Sequence, residues 1–543
     1  MYRNAHKTLN RNLLNLAILA ALYTANGVAA VAVADGNHAT VNVTGNNNGN
    51  YYTVSIDQTG GNGETATINT NGNGNAETIN QQTAGSNNAD IEQGSNGGTA
   101  NGSAATINQQ NSNNNKAAVN QGTGGEWSEY WNGNSSNSDT ATIDQQNSNN
   151  NTATINQAGN GTYGGSTSGN KASIDQQNSN SNNATVNQGG GGATTQSSVA
   201  SINQGYSNNN DATINQGINS GLNGGSATII QGGSYNKATA TQNGTGQNIT
   251  VTQGQGNQTS NSDQENANNS ASVNQGVGFG SYNTSTLSQI GIYNNAKINQ
   301  NGYSNLVQVN QPGASNTATT NQSGDTGKVT INQNGNNSSA TVNQNQSNYG
   351  NGNNATVTQG GSVTSANISQ NGYGSTATVN QNDNSNYWNA STATVNQISG
   401  NNNQATITQG ALESGYANAA TISQAGDYNQ SGITQNGQGN SASVNQTSPS
   451  GNTSWNVATI DQGDQSYSYN NTASILQNGY GNNGSIEQNG SGNNGYIEQN
   501  GYGNNATINQ IGSGNVAAIY QESNGNIANI TQNGLSNNVT IRQ

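Results

Sequence analysis

The sequence contains no cysteine, two prolines, one phenylalanine and one methionine among its 543 residues. The lack of cysteine excludes disulfide bonds and thiolate zinc sites. Histidine is almost as scarce, because His6 and His38 are the only two. A Ser-His-Asp site would depend on His38 alone once an N-terminal leader is removed. We therefore predict no catalytic residues, no metal site and no cofactor, and we do not expect an enzyme.

Charge and apolar residues are also scarce. Charged residues make up 6% of the chain, and 23 acidic residues outnumber nine basic ones. The formal net charge of −14 disfavours nucleic acid as a partner, because nucleic-acid binding relies on basic residues that neutralise phosphates. Apolar residues account for only 28%, which excludes one large apolar core. Such a composition is typical of disordered chains, but the strict spacing described below indicates a fixed register.

The N-terminus has the features of a targeting segment. Arg3, Lys7 and Arg11 precede an apolar run that ends in small residues, and the alanines of the 32–34 triplet fit an A-x-A cleavage site. We predict a signal peptide at 1–34, an N-terminal lead with a degenerate first repeat at 35–52, and repeats from 53 to 543. No later stretch is apolar enough to span a bilayer, so the mature chain is predicted to have no membrane span.

The repeat is clearest near the C-terminus, where glutamine recurs about every eleven residues. These glutamines are Gln477, Gln488, Gln499, Gln510, Gln521, Gln532 and Gln543. An isoleucine lies two residues before each of the later ones, at Ile486, Ile497, Ile508, Ile519, Ile530 and Ile541. Asparagines follow five residues after glutamine, at Asn482, Asn493, Asn504 and Asn515, and glycines two residues after it, at Gly479, Gly490, Gly501 and Gly512.

The repeat predicts a short strand followed by a turn. In ATINQ at 506–510 and its equivalents, Ala, Ile and Gln alternate with Thr and Asn, a period of two that is typical of strands. Gly and Asn then supply residues that tolerate positive φ in the turn. The predicted fold is all-β: a β-solenoid with two short strands per rung of about 22 residues, and about twenty rungs.

A polar residue at a fixed inward position needs a partner, because a buried amide without one is costly. Rungs that stack ~4.8 Å apart would align each inward Gln and Asn with its own kind, so that their amides bond into ladders. The interior Gln, Asn and Ile residues of 477–543 are therefore predicted to form the ladder and to serve assembly. The turn glycines are predicted to allow the tight turn between strands.

Longer connections interrupt the regular spacing and carry the aromatic residues. In the early chain the inserts at 93–109, 121–145, 157–176, 188–204 and 216–231 fall on every second connection, along one edge of the coil. The aromatic candidates for surface contact are Trp127, Trp131, Trp388, Trp455, Tyr303, Tyr373, Tyr480 and Tyr502. They either cap the coil by local packing or present an adhesive surface to polysaccharide, other fibres or host surfaces.

Acidic residues often precede the inward Gln on the outward face. They are Asp57, Asp144, Asp175, Asp461, Glu92, Glu487 and Glu498. We interpret them as solvated charges that limit lateral association, rather than as paired catalytic carboxylates. Outward threonines raise the alternative of an ice-binding array, but Asn and Ser replace Thr too often for a regular one.

The unit Gln499, Gly501, Asn504, Ala506 and Gln510 resembles the curlin repeat of the secreted amyloid subunits of curli fibres. The resemblance covers roughly residues 53–543, with many more repeats than familiar curlin subunits have. It implies export through an outer-membrane secretion pore, a nucleator subunit as partner, and polymerisation with copies of itself. It also implies a secreted, extracellular location, as a cell-surface fibre or biofilm matrix that supports adhesion.

We therefore expect a structural subunit of a curli-like fibre that grows by end-to-end stacking of solenoids. The regular C-terminal run is the expected growing end, since an unpaired sheet edge can template another copy. The alternative is a monomeric surface β-solenoid adhesin or an ice-binding rod whose ends are capped by inserts.

Overall fold

The computed structural model describes residues 27–33, 36–44, 52–83, 85–94, 98–122, 135–157, 166–189, 194–218, 222–254, 256–277, 280–345, 352–382, 391–410, 417–449, 455–463 and 468–543. Within these ranges every regular element is a β-strand and none is a helix. Consequently, the described chain offers no helix long and apolar enough to cross a membrane. Parallel strands stack on one another as a β-solenoid.

Alternation of side chains explains why each repeat forms a strand. In Thr152–Gln157, the side chains of Ala153, Ile155 and Gln157 are buried, while those between them are partly exposed. The β-branched isoleucine at the centre favours the extended backbone and packs well on a pleated surface. The core is consequently a narrow channel filled by alanine, isoleucine or valine, and glutamine.

The chain divides into two compact units, 1–272 and 273–543. In the first unit the strands form two long parallel ladders. One ladder contains Gly27–Val33, Tyr52–Thr59, Ala76–Gln82, Ala104–Gln110, Thr140–Gln146, Lys171–Asp175, Val199–Asn203, Ser226–Gln231 and Asn248–Gln253. The other contains His38–Thr44, Thr65–Asn73, Asn88–Gln93, Lys116–Gln121, Thr152–Gln157, Asn183–Gln188, Asp211–Gln216, Lys237–Gln242 and Thr259–Gln264.

The early inserts add a third, shorter ladder to the first unit. Its strands are Thr99–Asn101, Ser135–Asn137, Ser166–Ser168, Thr194–Gln196, Leu222–Asn223 and Gly244–Thr245. A further short pair joins Ser207–Asn208 to Gly233–Ser234. The expectation of two strands per rung therefore misses this part of the chain, because each of the five early inserts contributes one short strand and these strands stack on one another.

The second unit also has two long parallel ladders. After Ser270–Gln275, in which the unit boundary falls, one ladder contains Asn295–Gln300, Thr317–Gln322, Ser339–Gln344, Ser365–Gln370, Thr392–Ser399, Ala419–Ala425, Ser441–Thr447, Thr472–Tyr480, Asn494–Tyr502, Val516–Gln521 and Asn538–Arg542. The other contains Thr284–Gln289, Leu306–Gln311, Lys328–Gln333, Asn354–Gln359, Thr376–Gln381, Gln404–Gln409, Gln430–Gln435, Val457–Gln462, Asn483–Ser491, Asn505–Ser513 and Ile527–Leu535.

Register within a ladder aligns equivalent residues of successive repeats. Ile486 pairs with Ile508, which pairs with Ile530, and Gln488 pairs in the same way with Gln510. Because side chains of neighbouring parallel strands project side by side, each column along a ladder is made mostly of one residue type. The repeat spacing in the sequence is therefore converted into columns of like side chains.

The N-terminal lead also belongs to these ladders. Its strand His38–Thr44 pairs with Thr65–Asn73, and Val43 occupies the position that Thr70 and Gln93 fill in the next strands. Before it, Gly27–Val33 pairs with Tyr52–Thr59. That strand falls inside the predicted signal peptide, whose remaining residues lie outside the described ranges.

Candidate functional site

The inward glutamines of residues 477–543 form two columns of side-chain hydrogen bonds. In one column the Nε2 of Gln477 donates to the Oε1 of Gln499 at 2.8 Å, and Gln499 donates likewise to Gln521 at 3.0 Å. In the other, Gln488 donates to Gln510 at 2.8 Å. The remaining links, Gln510 to Gln532 and Gln521 to Gln543, are 2.8 and 3.1 Å long.

Each inward amide also donates across the core. The Nε2 of Gln488 donates to the carbonyl oxygen of Thr472 at 2.8 Å, and that of Gln499 to the carbonyl of Asn483 at 2.9 Å. A glutamine therefore uses one N–H to bind the next rung and the other to bind the opposite strand. Both donors of a buried amide are satisfied, which removes the desolvation cost that an unpaired amide would carry.

The buried asparagines make a different set of bonds from the one expected. The Oδ1 of Asn482 accepts the backbone N–H of Asn504 at 3.0 Å, and the Nδ2 of Asn482 donates to the carbonyl of Gly501 at 3.0 Å. Asn493 makes the same two bonds, with Asn515 at 3.1 Å and with Gly512 at 3.0 Å. The shorter side chain therefore binds mainly the turn backbone of the next rung. An amide-to-amide bond is added where the Nδ2 of Asn515 donates to the Oδ1 of Asn493 at 3.1 Å.

The predicted isoleucine column fills the space between the glutamines. The fully buried members are Ile486, Ile497, Ile508 and Ile519. Ile530 is also buried, whereas Ile541 in the strand Asn538–Arg542 is partly exposed. Gln543 is exposed as well. Burial therefore decreases over the last rung of the second unit.

The predicted turn glycines are required by both conformation and space. Gly479, Gly490 and their equivalents Gly501 and Gly512 have φ between 112° and 122°. A Cβ atom on Gly479 would lie 1.8 Å from the carbonyl oxygen of Gly501 in the next rung, and one on Gly490 would lie 2.0 Å from that of Gly512. Any other residue would therefore push successive turns apart.

Aromatic residues lie on the outside of the second unit. Tyr480 stacks on Tyr502 with ring centroids 5.2 Å apart, and Trp455 stacks on Tyr428 at 6.4 Å. Tyr303 is half exposed. Tyr373 is partly buried, and its turn bridges to that of Asn401. Trp127, Trp131 and Trp388 lie outside the described residues.

The structure also reveals tyrosines that sequence reasoning missed. Tyr235, Tyr282, Tyr293 and Tyr428 each precede a buried asparagine and have φ of 57–62°. In 477–543 the residue before each buried asparagine is glycine. The recurring Tyr-Asn pair, where that run has Gly-Asn, is the sequence signal that could have identified these tyrosines. A bulky side chain at positive φ is a strained choice.

The acidic residues on the outward face are less solvated than expected. Asp144 and Asp175 are neighbours in one column and are half-buried between adjacent rungs. Burial raises the pKa of both carboxyl groups, and the charge of Asp144 adds to the rise at Asp175. Hydrogen bonds from the amides of Gln146 and Gln177 oppose the rise. Tight rung stacking is the cause, since each outward side chain is covered by those above and below it.

The other predicted acidic residues also sit in outward columns. Glu487 and Glu498 lie in different ladders, where they accept hydrogen bonds from neighbouring asparagine amides at 3.0 and 2.9 Å. Asp57 pairs in register with an asparagine, as does Glu92, while Asp461 pairs with Glu487. No group of three or more His, Asp or Glu residues in the described ranges could hold a metal ion.

Outward asparagines form a further column that the sequence analysis did not identify. The Nδ2 of Asn299 donates to the Oδ1 of Asn321 at 2.7 Å, and Asn321 donates to Asn343 at 2.7 Å. The recurrent Asn-Gln pair at the end of the strand was the available signal. Amide columns therefore run along both faces of this ladder.

Three acidic residues are buried at inward positions in the described part of the first unit, namely Glu64, Glu77 and Asp139. Glu77 takes the place of the usual alanine, is fully buried, and has its pKa raised to about 7 by burial, with the Thr70 hydroxyl acting in the opposite direction. Asp139 takes the place of the usual asparagine. Burial raises the pKa of Asp139, whereas hydrogen bonds from the hydroxyl groups of Ser136 and Thr167 act to lower it.

A family model described as the curlin associated repeat matches the chain at residues 415–447 and 470–501. The matched residues belong to the second unit, and the later match contains the link from Gln477 to Gln499 in one glutamine column. No curated protein matches the chain. The repeat match and the solenoid architecture point to a structural protein rather than an enzyme.

Proposed function

Because residues 415–447 and 470–501 match the curlin associated repeat, we propose that the chain is a structural subunit of an extracellular curli-like amyloid fibre. In this proposal its mature form is a solenoid of two main strands per rung and about twenty rungs, and copies stack end to end. The fibre supports the biofilm matrix and adhesion at the cell surface. Export through an outer-membrane pore and a nucleator subunit are part of the same proposal.

The observation that carries the proposal is the self-complementarity of the rungs. Gln499 accepts an amide hydrogen bond from Gln477 on one side and donates one to Gln521 on the other. Each rung therefore presents glutamine N–H donors on one face and the matching glutamine oxygen acceptors on the other. A second copy placed on an uncovered rung would continue both the backbone ladders and the glutamine columns, as in cross-β stacking.

The strand Asn538–Arg542 is the proposed elongating edge. Ile541 and Val539 in this strand are partly exposed, and Val539 retains 38% of its accessible surface. Equivalent residues one rung earlier, Ile519 and Ala517, are fully buried. Covering the exposed pair with another rung would bury apolar surface, which favours addition of a copy.

Seeded thioflavin kinetics on residues 35–543 test this function. We expect a lag phase that preformed fibres shorten, and Ile541→Asp should slow elongation because it places a charge on the proposed edge. Ile530→Asp should slow it further, because Ile530 is buried one strand earlier. Ile511→Asp is the control, since Ile511 is 42% exposed on the outward face, and it should elongate like wild type.

A different outcome would favour the monomeric adhesin or ice-binding rod. In that case the chain stays soluble without a lag phase, and seeds have no effect. If fibres form but Ile541→Asp elongates at the wild-type rate, the fibre proposal survives and the proposed edge is wrong.

A further inference from the structure

A cleft on the second unit joins two aromatic rings to four side-chain amides. Its volume is about 190 Å³, and its lining residues are Asn402, Gln404, Tyr428, Asn429, Gln430 and Trp455. This is below the roughly 300–1,000 Å³ of sites for drug-sized ligands, so the cleft suits one or two small rings.

The cleft is built from the stacking of three successive rungs. The backbone N–H of Asn429 donates to the Oδ1 of Asn403 at 2.8 Å, and the Nδ2 of Asn456 donates to the Oδ1 of Asn429 at 3.1 Å. These bonds align the residues that precede each asparagine, so Tyr428 and Trp455 project from consecutive rungs. Their rings are stacked within 9° of parallel.

The amides flank the rings on the same outward surface. Gln404 and Gln430 are register neighbours in adjacent strands, and both side chains are exposed. Asn402 is exposed in the turn that precedes Gln404. The cleft therefore combines flat apolar faces with hydrogen-bonding groups that can both donate and accept.

No charged side chain lines the cleft in the described part of the chain. The nearest carboxylate along the chain, that of Asp427, accepts the backbone N–H of Asn401 at 2.7 Å. A charged ligand would find no counter-ion there, and a polyanion would meet a chain whose net charge is −14.

Tyr428 occupies a turn position with positive φ. Its φ of 58° suits glycine, which fills the equivalent place in 477–543. The same positive φ recurs at non-glycine residues in equivalent turns, such as Val363 and Ala417, so it belongs to the turn itself. This turn places the ring of Tyr428 as one wall of the cleft.

From these features we infer that the cleft binds a neutral polysaccharide. A pyranose ring places its C–H face on the exposed Trp455, which retains 56% of its accessible surface, while its hydroxyls bond the amides of Asn402, Gln404 and Gln430. The rung spacing of ~4.8 Å is close to the length of one pyranose unit, so successive sugars meet successive rungs. This site is independent of fibre assembly.

Isothermal titration of the full chain with cellohexaose, maltohexaose and mannohexaose tests the inference. At least one should bind with a dissociation constant of roughly millimolar or tighter. Trp455→Ala and Tyr428→Gly should each weaken that binding about tenfold, which corresponds to 1.4 kcal/mol. Glycine suits the positive φ of this position, so Tyr428→Gly should keep the turn while it removes the ring.

Tyr502→Ala is the matched control, because it removes one exposed ring from the separate Tyr480 stack. It should bind like wild type. The inference is overturned if none of the three sugars binds, if Tyr502→Ala loses as much affinity as Trp455→Ala, or if polygalacturonate binds more tightly than every neutral sugar. Thioflavin kinetics of Tyr428→Gly should match wild type, which separates this site from assembly.

Discussion

Glu77 is expected to make the first unit less stable as pH rises. Its side chain is fully buried at an inward position, in register between Val54 and Ala105. Burial raises its pKa from 4.5 to about 7, so the folded chain holds a proton that the unfolded chain releases. The free energy of unfolding is therefore highest below pH 4.5, falls as pH rises from 4.5 to 7, and is level above that range.

The size of the effect follows from the shift. About 2.5 pH units correspond to about 3 kcal/mol at the alkaline limit. Glu77→Gln keeps the shape and removes the charge, so it should remove this contribution. We expect the variant to be more stable than wild type by about 1 kcal/mol at pH 5 and by about 3 kcal/mol at pH 8.

Hydrogen exchange of the strand Ala76–Gln82, corrected for the intrinsic effect of pH, measures the local stability. The comparison between variant and wild type cancels the contributions of other acidic residues. Glu522→Gln, at an exposed position, should leave the pH dependence of that strand unchanged. A stability difference for Glu77→Gln that is equal at pH 5 and pH 8 would refute the buried, protonated Glu77.

Three further substitutions test the packing of the second unit. Gly490→Ala should destabilise the strand Asn483–Ser491 by more than 2 kcal/mol in hydrogen exchange, because Gly490 has positive φ and lies against the carbonyl of Gly512. Gly492→Ala is the control, since Gly492 has open space around it, and it should cost only about 1 kcal/mol. Gln499→Leu should lower the free energy of unfolding measured in urea by about 2–4 kcal/mol, because it leaves buried amide partners unsatisfied in both adjoining rungs. An unchanged midpoint of urea unfolding would contradict this. Asn321→Ala should cost less than about 1 kcal/mol in the same assay, because its column is only partly buried, and a larger loss would show that outward columns matter as much as inward ones.

The regular part of the fold could be predicted because its signal is local. Thr152–Gln157 alternates apolar and polar residues, and a strand places alternate side chains on opposite faces, so its inward residues can be read directly. The regular recurrence of glutamine after isoleucine then fixes which amide faces inward. The same reasoning located Gly479 and Asn482 in the turn, because both residue types suit turn conformations.

The third ladder could not be predicted in the same way. Ser135–Asn137 contains no apolar residue and becomes a strand only because Thr99–Asn101 and Ser166–Ser168 lie on either side of it. Neighbouring rungs supply the hydrogen bonds that its own sequence does not specify. The cleft has a similar origin, since Tyr428 and Trp455 lie in separate connections and are brought together by stacking of the rungs.

The bonds of the buried asparagines depend on side-chain length. Glutamine and asparagine carry the same amide, and the sequence pattern gives both an inward place. The extra methylene lets Gln488 reach the amide of Gln510, whereas the amide of Asn482 binds the backbone of the next rung, at Asn504 and Gly501. An amide-to-amide bond between buried asparagines is added only in places, as from Asn515 to Asn493. Predicting this difference requires the distance between the turn backbone and the core side chains, which the sequence alone does not contain.

The central claim is that copies stack so that one chain continues the glutamine columns of the next. Cryo-electron microscopy of fibres grown from residues 35–543 tests it most directly. We predict a solenoid whose rungs remain ~4.8 Å apart across each junction between copies, with inward glutamine side chains aligned through the junction. Fibres in which copies associate side by side, or in which the glutamine columns break at every junction, would contradict the claim.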